Sequence, residues 1–217
     1  VSTPKLPSVT MMVRVRPAIV HTAAASNLGQ MLNRICLSDG VPLVNIVRSE
    51  DQVALLKAEG AVHVVNSSDA DFSNQLAAAV NATGATLAFD AIGGGKLGNA
   101  ILMAMEAAAV KRMSEWSRYG SNEFKQLYIY GALDLAPTSL NRGYGFSWGI
   151  GGWLLTPFMM KAGREVVDRM QARVVAELTS TFASSYSDRI SLVESVTPSA
   201  GAKYGVRRTG QKALITF

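Results

Sequence analysis

Apolar residues along the chain fall into short runs, and the runs follow two alternating patterns. Nearly continuous apolar runs bounded by glycine or polar residues are typical of buried parallel strands, whereas apolar residues at helical spacing indicate helices. The pattern predicts strands at 19–20, 42–47, 61–66, 85–90 and 127–130. Predicted helices fill the intervals, three of them with bounds at 50–59, 97–110 and 163–180. This alternation predicts an α/β fold, a doubly wound parallel sheet with helices on both faces.

Residues 18–40 carry the first candidate for chemistry, a strand followed by a tight turn and a helix. The turn is filled by small residues, and Ala24-x-Ser26-x-x-Gly29 stands where a dinucleotide-binding turn has G-x-G-x-x-G. Small residues let the backbone approach a ligand, and a helix N-terminus offers free N–H groups and a positive dipole end to a diphosphate. The hydroxyl of Ser26 can also donate to a phosphate oxygen. The alternative is a turn that binds no ligand.

The end of the second predicted strand indicates which dinucleotide such a site prefers. A carboxylate there accepts hydrogen bonds from the ribose hydroxyls of NAD and repels the 2′-phosphate of NADP. This chain has Arg48-Ser49 at that position, which favours NADP (NADPH). The alternative interpretation is that Arg48 is a solvated loop residue, since the acidic Glu50 follows closely.

Several motifs together resemble the cofactor-binding domain of medium-chain dehydrogenases/reductases, in the zinc-free quinone oxidoreductase-like branch. They are Val20-His21-Thr22-Ala23 before the turn, Asp90-x-x-Gly93-Gly94 after a strand, and the closing run from Thr209 to Phe217 around Lys212. The resemblance implies a Rossmann domain over 18–217 with a C-terminal helix and strand. An N-terminal arm at 1–17 would precede it, and the family's GroES-like catalytic domain would be lacking.

The resemblance also implies where a cofactor binds. The first turn would hold the diphosphate, Arg48 and Ser49 the 2′-phosphate, and two later turns would lie along the nicotinamide. The implied cofactor-binding residues are Ala24, Ser26, Asn27, Leu28, Gly29, Arg48, Ser49, Ile92, Gly93, Gly131, Ala132 and Leu133. No catalytic acid or base is identified. Asp90 is expected to accept hydrogen bonds from loop N–H groups and to shape its turn.

Cysteine and histidine are scarce, which limits the metal sites and disulfides that the chain can form. A single cysteine, Cys36, excludes an internal disulfide and a cysteine-rich zinc site, and it is predicted to be a buried structural thiol. His63 has no second ligand at metal-binding spacing, so we expect a strand residue rather than a metal ligand. Met103 and Met105 are predicted to fill the core.

Glycine and aromatic residues alternate in the segment 134–157, most densely from Tyr144 to Trp153. Two interpretations stay open: an apolar, mobile rim for a flat substrate such as a quinone or an enone, and a subunit interface. The polar segment 111–125 before it is predicted to be a surface insertion.

Helix ends and the closing strand give further expectations. Ser68 and Asp69 are predicted to cap the third helix and Gly84 to end it. The 163–180 helix is predicted to carry an apolar stripe of Val166, Met170, Val174, Val175 and Leu178. The closing strand from Lys212 is expected to lack its usual partner, so that residues 9–16 or another chain would cover it.

The net charge of +5 and the pI near 9.5 suit a phosphorylated cofactor, an acidic partner subunit or a nucleic acid. No block of five basic residues occurs, so nucleic-acid binding is not expected. The segment before Asp39 has no acidic residue, as in organelle transit sequences, which suggests a mitochondrion or another organelle, with the cytoplasm as the alternative. No apolar run is long enough to predict a transmembrane segment.

Two functions of different classes remain. The first is an NADPH-dependent reductase that transfers hydride to a quinone or an activated alkene. The second is a non-catalytic Rossmann-fold subunit with a structural or regulatory role in a larger, perhaps organellar complex, so whether the chain is an enzyme stays open. Under both hypotheses we expect a protein partner, as a homodimer or a hetero-assembly.

Overall fold

The computed structural model describes residues 17–205 and 212–217, and its centre is a sheet of six parallel strands. The strands in chain order are β1 (Ile19–His21), β2 (Leu43–Val47), β3 (His63–Asn66), β4 (Leu87–Asp90), β5 (Gly93–Gly95), β6 (Lys125–Ile129), β7 (Asp134–Thr138), β8 (Trp148–Gly152), β9 (Asp188–Ser191) and β10 (Ala213–Thr216). The central sheet has the order β3-β2-β1-β4-β6-β8. The chain builds from β1 to one edge, returns to β4 beside β1 and continues to the other edge. The predicted doubly wound sheet is therefore confirmed.

Helices cover both faces of this sheet. In chain order, the helices of the described residues are α1 (Asn27–Asp39), α2 (Glu50–Ala58), α3 (Phe72–Thr83), α4 (Leu97–Lys111), α5 (Leu155–Ala162), α6 (Arg164–Ala176), α7 (Leu192–Ser195) and α8 (Pro198–Gly205). One buried cluster joins α3 and α4 to Val44 and Ile46 of β2, and the other joins α2 to Val47. Because successive strand residues point to opposite faces, these clusters lie on opposite sides of the sheet.

The start of α3 differs from the prediction. The N-cap is Asp71, and neither Ser68 nor Asp69 caps the helix. The Asp69 carboxylate instead accepts a hydrogen bond from the Asp71 amide (2.8 Å), which makes a local turn before the helix. The predicted end is confirmed, since Gly84 is the C-cap in the left-handed conformation.

The segment predicted as a surface insertion ends in a buried lysine that forms an ion pair with α4. Lys125 is fully buried, and its ammonium group lies 2.5 Å from a carboxylate oxygen of Glu106 on α4. Lys125 also donates to the Ser121 hydroxyl (2.9 Å) and the Glu123 carbonyl (2.8 Å). The prediction was wrong for this end of the segment, because Lys125 is the first residue of β6 and Glu106 compensates its charge inside the protein.

Predictions about individual core residues are confirmed in most cases. Cys36 is buried in α1, and burial together with Asp39 raises the pKa of its thiol to about 11. Met105 is fully buried, but Met103 is 39% exposed, so only one of the two fills the core. His63 lies in β3, as predicted.

The helix predicted at 163–180 ends earlier and is poorly buried. It spans α6, and none of its residues is buried. Val166 is half-buried, but Val175 is 76% exposed, and Met170, Val174 and Leu178 are exposed as well. The stripe exists in sequence, but no described part of the chain covers most of it.

The closing strand has a partner within the chain, which corrects our expectation. β10 pairs in parallel with β9 over Ala213 to Thr216, in a small sheet separate from the central one. The predicted pairing with residues 9–16, the arm 1–17 up to Arg16 and the closing motif from Thr209 to Gln211 lie outside the described residues. Among the helices of the described part, none is long and apolar enough to cross a membrane.

Candidate functional site

The candidate site lies at the carboxyl edge of the sheet, where β1 and β4 are neighbours. From β1 the chain turns toward β2 and β3, and from β4 it turns the other way, toward β6 and β8. Loops leaving two adjacent strands in opposite directions open a crevice, which is where doubly wound sheets bind ligands.

The first wall of the crevice is the turn into α1. Ala23 has a positive φ of 50°, and Ser26 is the N-cap, with its hydroxyl oxygen accepting a hydrogen bond from the Gly29 amide (3.1 Å). The cap leaves the hydrogen of the Ser26 hydroxyl free to donate. The backbone follows the edge of the sheet, since the Ala24 amide donates to the Ile46 carbonyl (3.1 Å).

Gly29 has no room for a side chain. An added Cβ would lie 2.1 Å from the Ala24 carbonyl oxygen and 2.5 Å from its carbon. The obstacle is backbone, which no rotamer change can remove. The first turn of α1 therefore lies directly against the turn that precedes it.

The N-terminus of α1 fits a diphosphate. Its first turn contains no acidic residue, so nothing there opposes the positive end of the helix dipole. Asn27 and Leu28 begin the helix, and their N–H groups lack intrahelical acceptors by position. Leu28 is 56% exposed, so this end of the helix is open to solvent.

Asp90 joins the two walls of the crevice. Its carboxylate accepts hydrogen bonds from the Thr22 hydroxyl (2.7 Å) and from the amides of Ile92 (2.9 Å) and Gly93 (3.2 Å). The Thr22 hydroxyl oxygen in turn accepts from the Ala91 amide (2.8 Å). The predicted role of Asp90, to hold loop N–H groups and shape the turn, is confirmed.

The two loops predicted along the nicotinamide lie against each other. An added Cβ at Gly93 would be 2.8 Å from the Gly131 carbonyl oxygen, and one at Gly131 would be 2.6 Å from the Ala91 carbonyl oxygen. The Leu133 amide donates to the same Ala91 oxygen (3.2 Å). Ala132 is exposed, and Leu133 is 67% exposed, so the second loop presents an apolar surface.

Arg48 and Ser49 follow β2, at the same edge of the sheet as the turn into α1. The Arg48 side chain is exposed, and its guanidinium makes no ion pair with the residues that the structure describes. The Glu50 carboxylate, which could have neutralised it, accepts a hydrogen bond from the Asn66 amide group instead (2.7 Å). The guanidinium is thus available to an anion.

Sequence reasoning missed a phenol–imidazole pair beneath these loops. His21, the last residue of β1, is 1% exposed, and its Nε2 lies 2.6 Å from the Tyr130 hydroxyl. The rings stack with their centroids 5.8 Å apart. Burial lowers the pKa of His21 to about 4, and burial with a smaller contribution from Asp90 raises the pKa of Tyr130 to about 12. Both side chains are therefore neutral near pH 7.

We find no cluster of metal-ligating side chains in the ranges 17–205 and 212–217. They contain no group of three or more His, Cys, Asp or Glu side chains that could hold a metal ion.

The chain is similar in fold to solved reductases, although no family model and no curated protein sequence matches it. A candidate NADPH:quinone reductase from Mesorhizobium loti aligns with TM-score 0.72 and 24% identity over 93% of this chain and 54% of that chain. A second one, from Bacillus thuringiensis, gives TM-score 0.68 and 14% identity over 93% and 56%. The mitochondrial 2-enoyl thioester reductase heterodimer from Candida tropicalis gives TM-score 0.65 and 17% identity over 93% and 54%.

At these identities the likeness establishes the fold. The Rossmann fold implied by the resemblance to medium-chain dehydrogenases/reductases is confirmed. The chain spans about half the length of the solved relatives that it matches.

Proposed function

We propose that the chain is the NADPH-binding domain of a quinone oxidoreductase-like reductase, which transfers hydride to a quinone or an activated alkene. The close approach of Gly29 to Ala24, which presents the start of α1 to the carboxyl edge, carries the proposal. Support comes from relatives of the same fold that are named for NADPH:quinone and enoyl thioester reduction, one solved with NADP and crotonyl-CoA.

Each part of NADPH has a matching group at the edge. The amides of Asn27 and Leu28 and the Ser26 hydroxyl would bind the diphosphate, and Arg48 with Ser49 the 2′-phosphate. Ile92 and Gly93 would lie beside the nicotinamide, together with the loop 131–133. When bound, NADPH supplies the hydride, and the protein supplies its position.

The residues of this chain bind and orient rather than react with the substrate. The bonds of Asp90 to Thr22 and to the following amides fix the loop on which a nicotinamide would rest, so little order has to be gained on binding. Leu133 offers an apolar wall that keeps water away from one side of the reacting ring.

The second candidate function is a non-catalytic subunit of a larger assembly. The apolar stripe of α6 is largely exposed. Large exposed apolar surfaces mark protein interfaces. A homodimer and a hetero-assembly both fit, and we propose a mitochondrial or other organellar location with the cytoplasm as the alternative, because the N-terminal segment is basic and free of acidic residues.

Cofactor titration tests the first proposal. We expect wild type to bind NADPH more tightly than NADH, and Arg48→Ala to lose about 1.5–3 kcal/mol of NADPH binding while NADH binding stays unchanged. Arg164→Ala is the matched control, because Arg164 is an exposed arginine on α6, and it should change neither affinity. Equal affinities in wild type, or no loss in Arg48→Ala, would contradict the NADP assignment.

The diphosphate turn is tested by two further variants. Gly29→Val should abolish nucleotide binding and lower stability, because its side chain would meet the Ala24 backbone. Gly201→Val is its control, since a Cβ at Gly201 in α8 meets nothing within 4 Å. Ser26→Gly should bind equally well or better, since it frees the Gly29 amide at a stability cost of only about a few tenths of a kcal/mol. Normal binding by Gly29→Val would refute the site.

Turnover and assembly separate the two functions. Steady-state oxidation of NADPH with a simple quinone, and in parallel with an enoyl thioester, identifies a reductase and its substrate class. Light scattering followed by pull-down from a native extract identifies partners. A soluble, active monomer with no partner would leave only the reductase, whereas an inactive chain that co-purifies with another protein would support the subunit.

A further inference from the structure

The pair of His21 and Tyr130 stands out because burying its polar groups is unfavourable in free energy. An imidazole with 1% exposure has given up its hydration, and its Nδ1 is buried without a hydrogen-bond partner among the described residues. A phenylalanine and a leucine would fill the same space without that cost. Polar groups left partly unsatisfied in a core are typical of functional sites.

The position of the pair connects the two walls of the crevice. His21 immediately precedes the Thr22 that bonds Asp90, and it ends the strand that leads into the diphosphate turn. Tyr130 follows β6, donates its amide to the Asp90 carbonyl (3.0 Å) and is directly followed by Gly131. The 2.6 Å contact between the two side chains thus joins the strand that leads into the turn before α1 to the loop that begins at Gly131.

The hydrogen-bonding capacity of the pair is not exhausted. A phenol donates one hydrogen bond and accepts up to two, and a neutral imidazole offers one donor and one acceptor. The mutual contact uses one position on each ring. Tyr130 is half-buried, so its side chain is not closed off from the edge.

We propose that the Tyr130 hydroxyl contacts the nicotinamide–ribose half of the cofactor, and that His21 is the positioning residue that holds this hydroxyl. The inference rests on the proposed function and adds a residue to it. Neutral His21 fixes the direction of the hydroxyl, which leaves the remaining phenol position to a ribose hydroxyl or the carboxamide.

Two ligands distinguish a contact with the nicotinamide half of the cofactor from a general effect on the binding site. NADPH contains the nicotinamide half, whereas adenosine 2′,5′-bisphosphate contains only the part that Arg48 and the adenosine side of the site would bind. We expect Tyr130→Phe to weaken NADPH about tenfold, the loss of one hydrogen bond, and to leave the bisphosphate within about twofold. Tyr128→Phe is the control, because Tyr128 lies in β6 two residues before Tyr130, stacks on Phe89 and makes no hydrogen bond or ring contact with His21 among the described residues.

Variants of His21 test the positioning role. His21→Leu should weaken NADPH as much as Tyr130→Phe, and His21→Gln, which keeps a polar group, should restore most of the affinity. A purely structural pair would lower thermal stability but move both ligands equally. Equal losses for both ligands, or none, would overturn the inference while leaving NADPH binding intact.

A spectroscopic measurement on the wild-type chain needs no variant to fold. Long-range proton–nitrogen spectra of the two histidines report both ring nitrogens of His21. NADPH should shift the Nε2 resonance that faces Tyr130, and the bisphosphate should not. If wild type binds neither ligand, the proposed function and this inference fail together; if both bind and Nε2 is unmoved, the inference alone fails.

Discussion

Helices α4 and α6 both carry apolar residues at helical spacing, but they lie in very different surroundings. Eight residues of α4 are buried, against none of α6. α4 packs with α3 against the central sheet, where Leu102 and Met105 are completely buried. An apolar stripe thus shows which residues a helix can bury. They are buried only where another element packs against the stripe.

Polar contacts hold the α6 region in place instead. Arg173 makes two hydrogen bonds to the Asp39 carboxylate at the end of α1 (2.8 and 2.9 Å). Arg34 on α1 donates to three carbonyl oxygens of the segment after α6, those of Ser180, Thr181 and Ala183. The region is attached to α1 through its surface rather than through a shared core.

The largest expected difference between the two regions is in their ion pairs. Lys125→Met leaves Glu106 buried without its counter-ion and should lower the free energy of unfolding by about 3–5 kcal/mol. Arg173→Met removes a pair whose side chains are about one-third exposed and should cost less than about 1 kcal/mol. Urea denaturation followed by circular dichroism measures both. Recovery in Lys125→Met/Glu106→Leu would show that the unpaired charge is the cause, and equal losses in the two single variants would remove the contrast.

Leucine-to-alanine substitutions compare the packing of the two regions, with the next largest expected effect. Leu102→Ala in α4 should destabilise by about 3 kcal/mol, because it opens a cavity in the core. Leu178→Ala, just after α6, removes the same atoms from a side chain that is 59% exposed and should change stability by no more than about 0.5 kcal/mol. A large loss at Leu178 would mean that another chain covers this surface under the conditions of the measurement.

The region around β1 should also respond to acid through His21. The pKa of His21 is about 4 in the folded chain and 6.5 in the unfolded chain, so the unfolded chain binds the proton more readily. This contribution to stability is complete above pH 6.5 and is lost as the pH falls toward 4, by about 2 kcal/mol at pH 5. Unfolding free energies of wild type and His21→Gln across this range measure it. Parallel pH profiles would contradict it.

The sequence predicted well what local patterns determine. The order of β1 to β4, of β6 and of the helices between them, the turn at Ser26 and Gly29 and the role of Asp90 each depend on residues close together in the chain, or on a motif that repeats in this fold. The edge strand β8 of the central sheet was not predicted. The position of Arg48 directly after β2 could be predicted because the strand pattern alone sets it.

Most of the missed features join distant parts of the chain, although the N-cap of α3 at Asp71 is a local one. His21 and Tyr130 meet only because β4 lies between β1 and β6. Lys125 looked like a surface residue because its partner Glu106 belongs to another element. The pairing of β10 with β9 likewise depends on a return of the chain that no local pattern encodes.

Cys36 gives α1 a chemical reporter. It is the single thiol of the chain, it is buried in α1, and its pKa of about 11 leaves almost no thiolate at neutral pH. Alkylation must therefore wait for α1 to open, so its rate measures the opening equilibrium of that helix. A ligand held at the N-terminus of α1 slows the reaction by the factor 1 + [L]/Kd, which turns thiol labelling into a binding assay that needs no turnover.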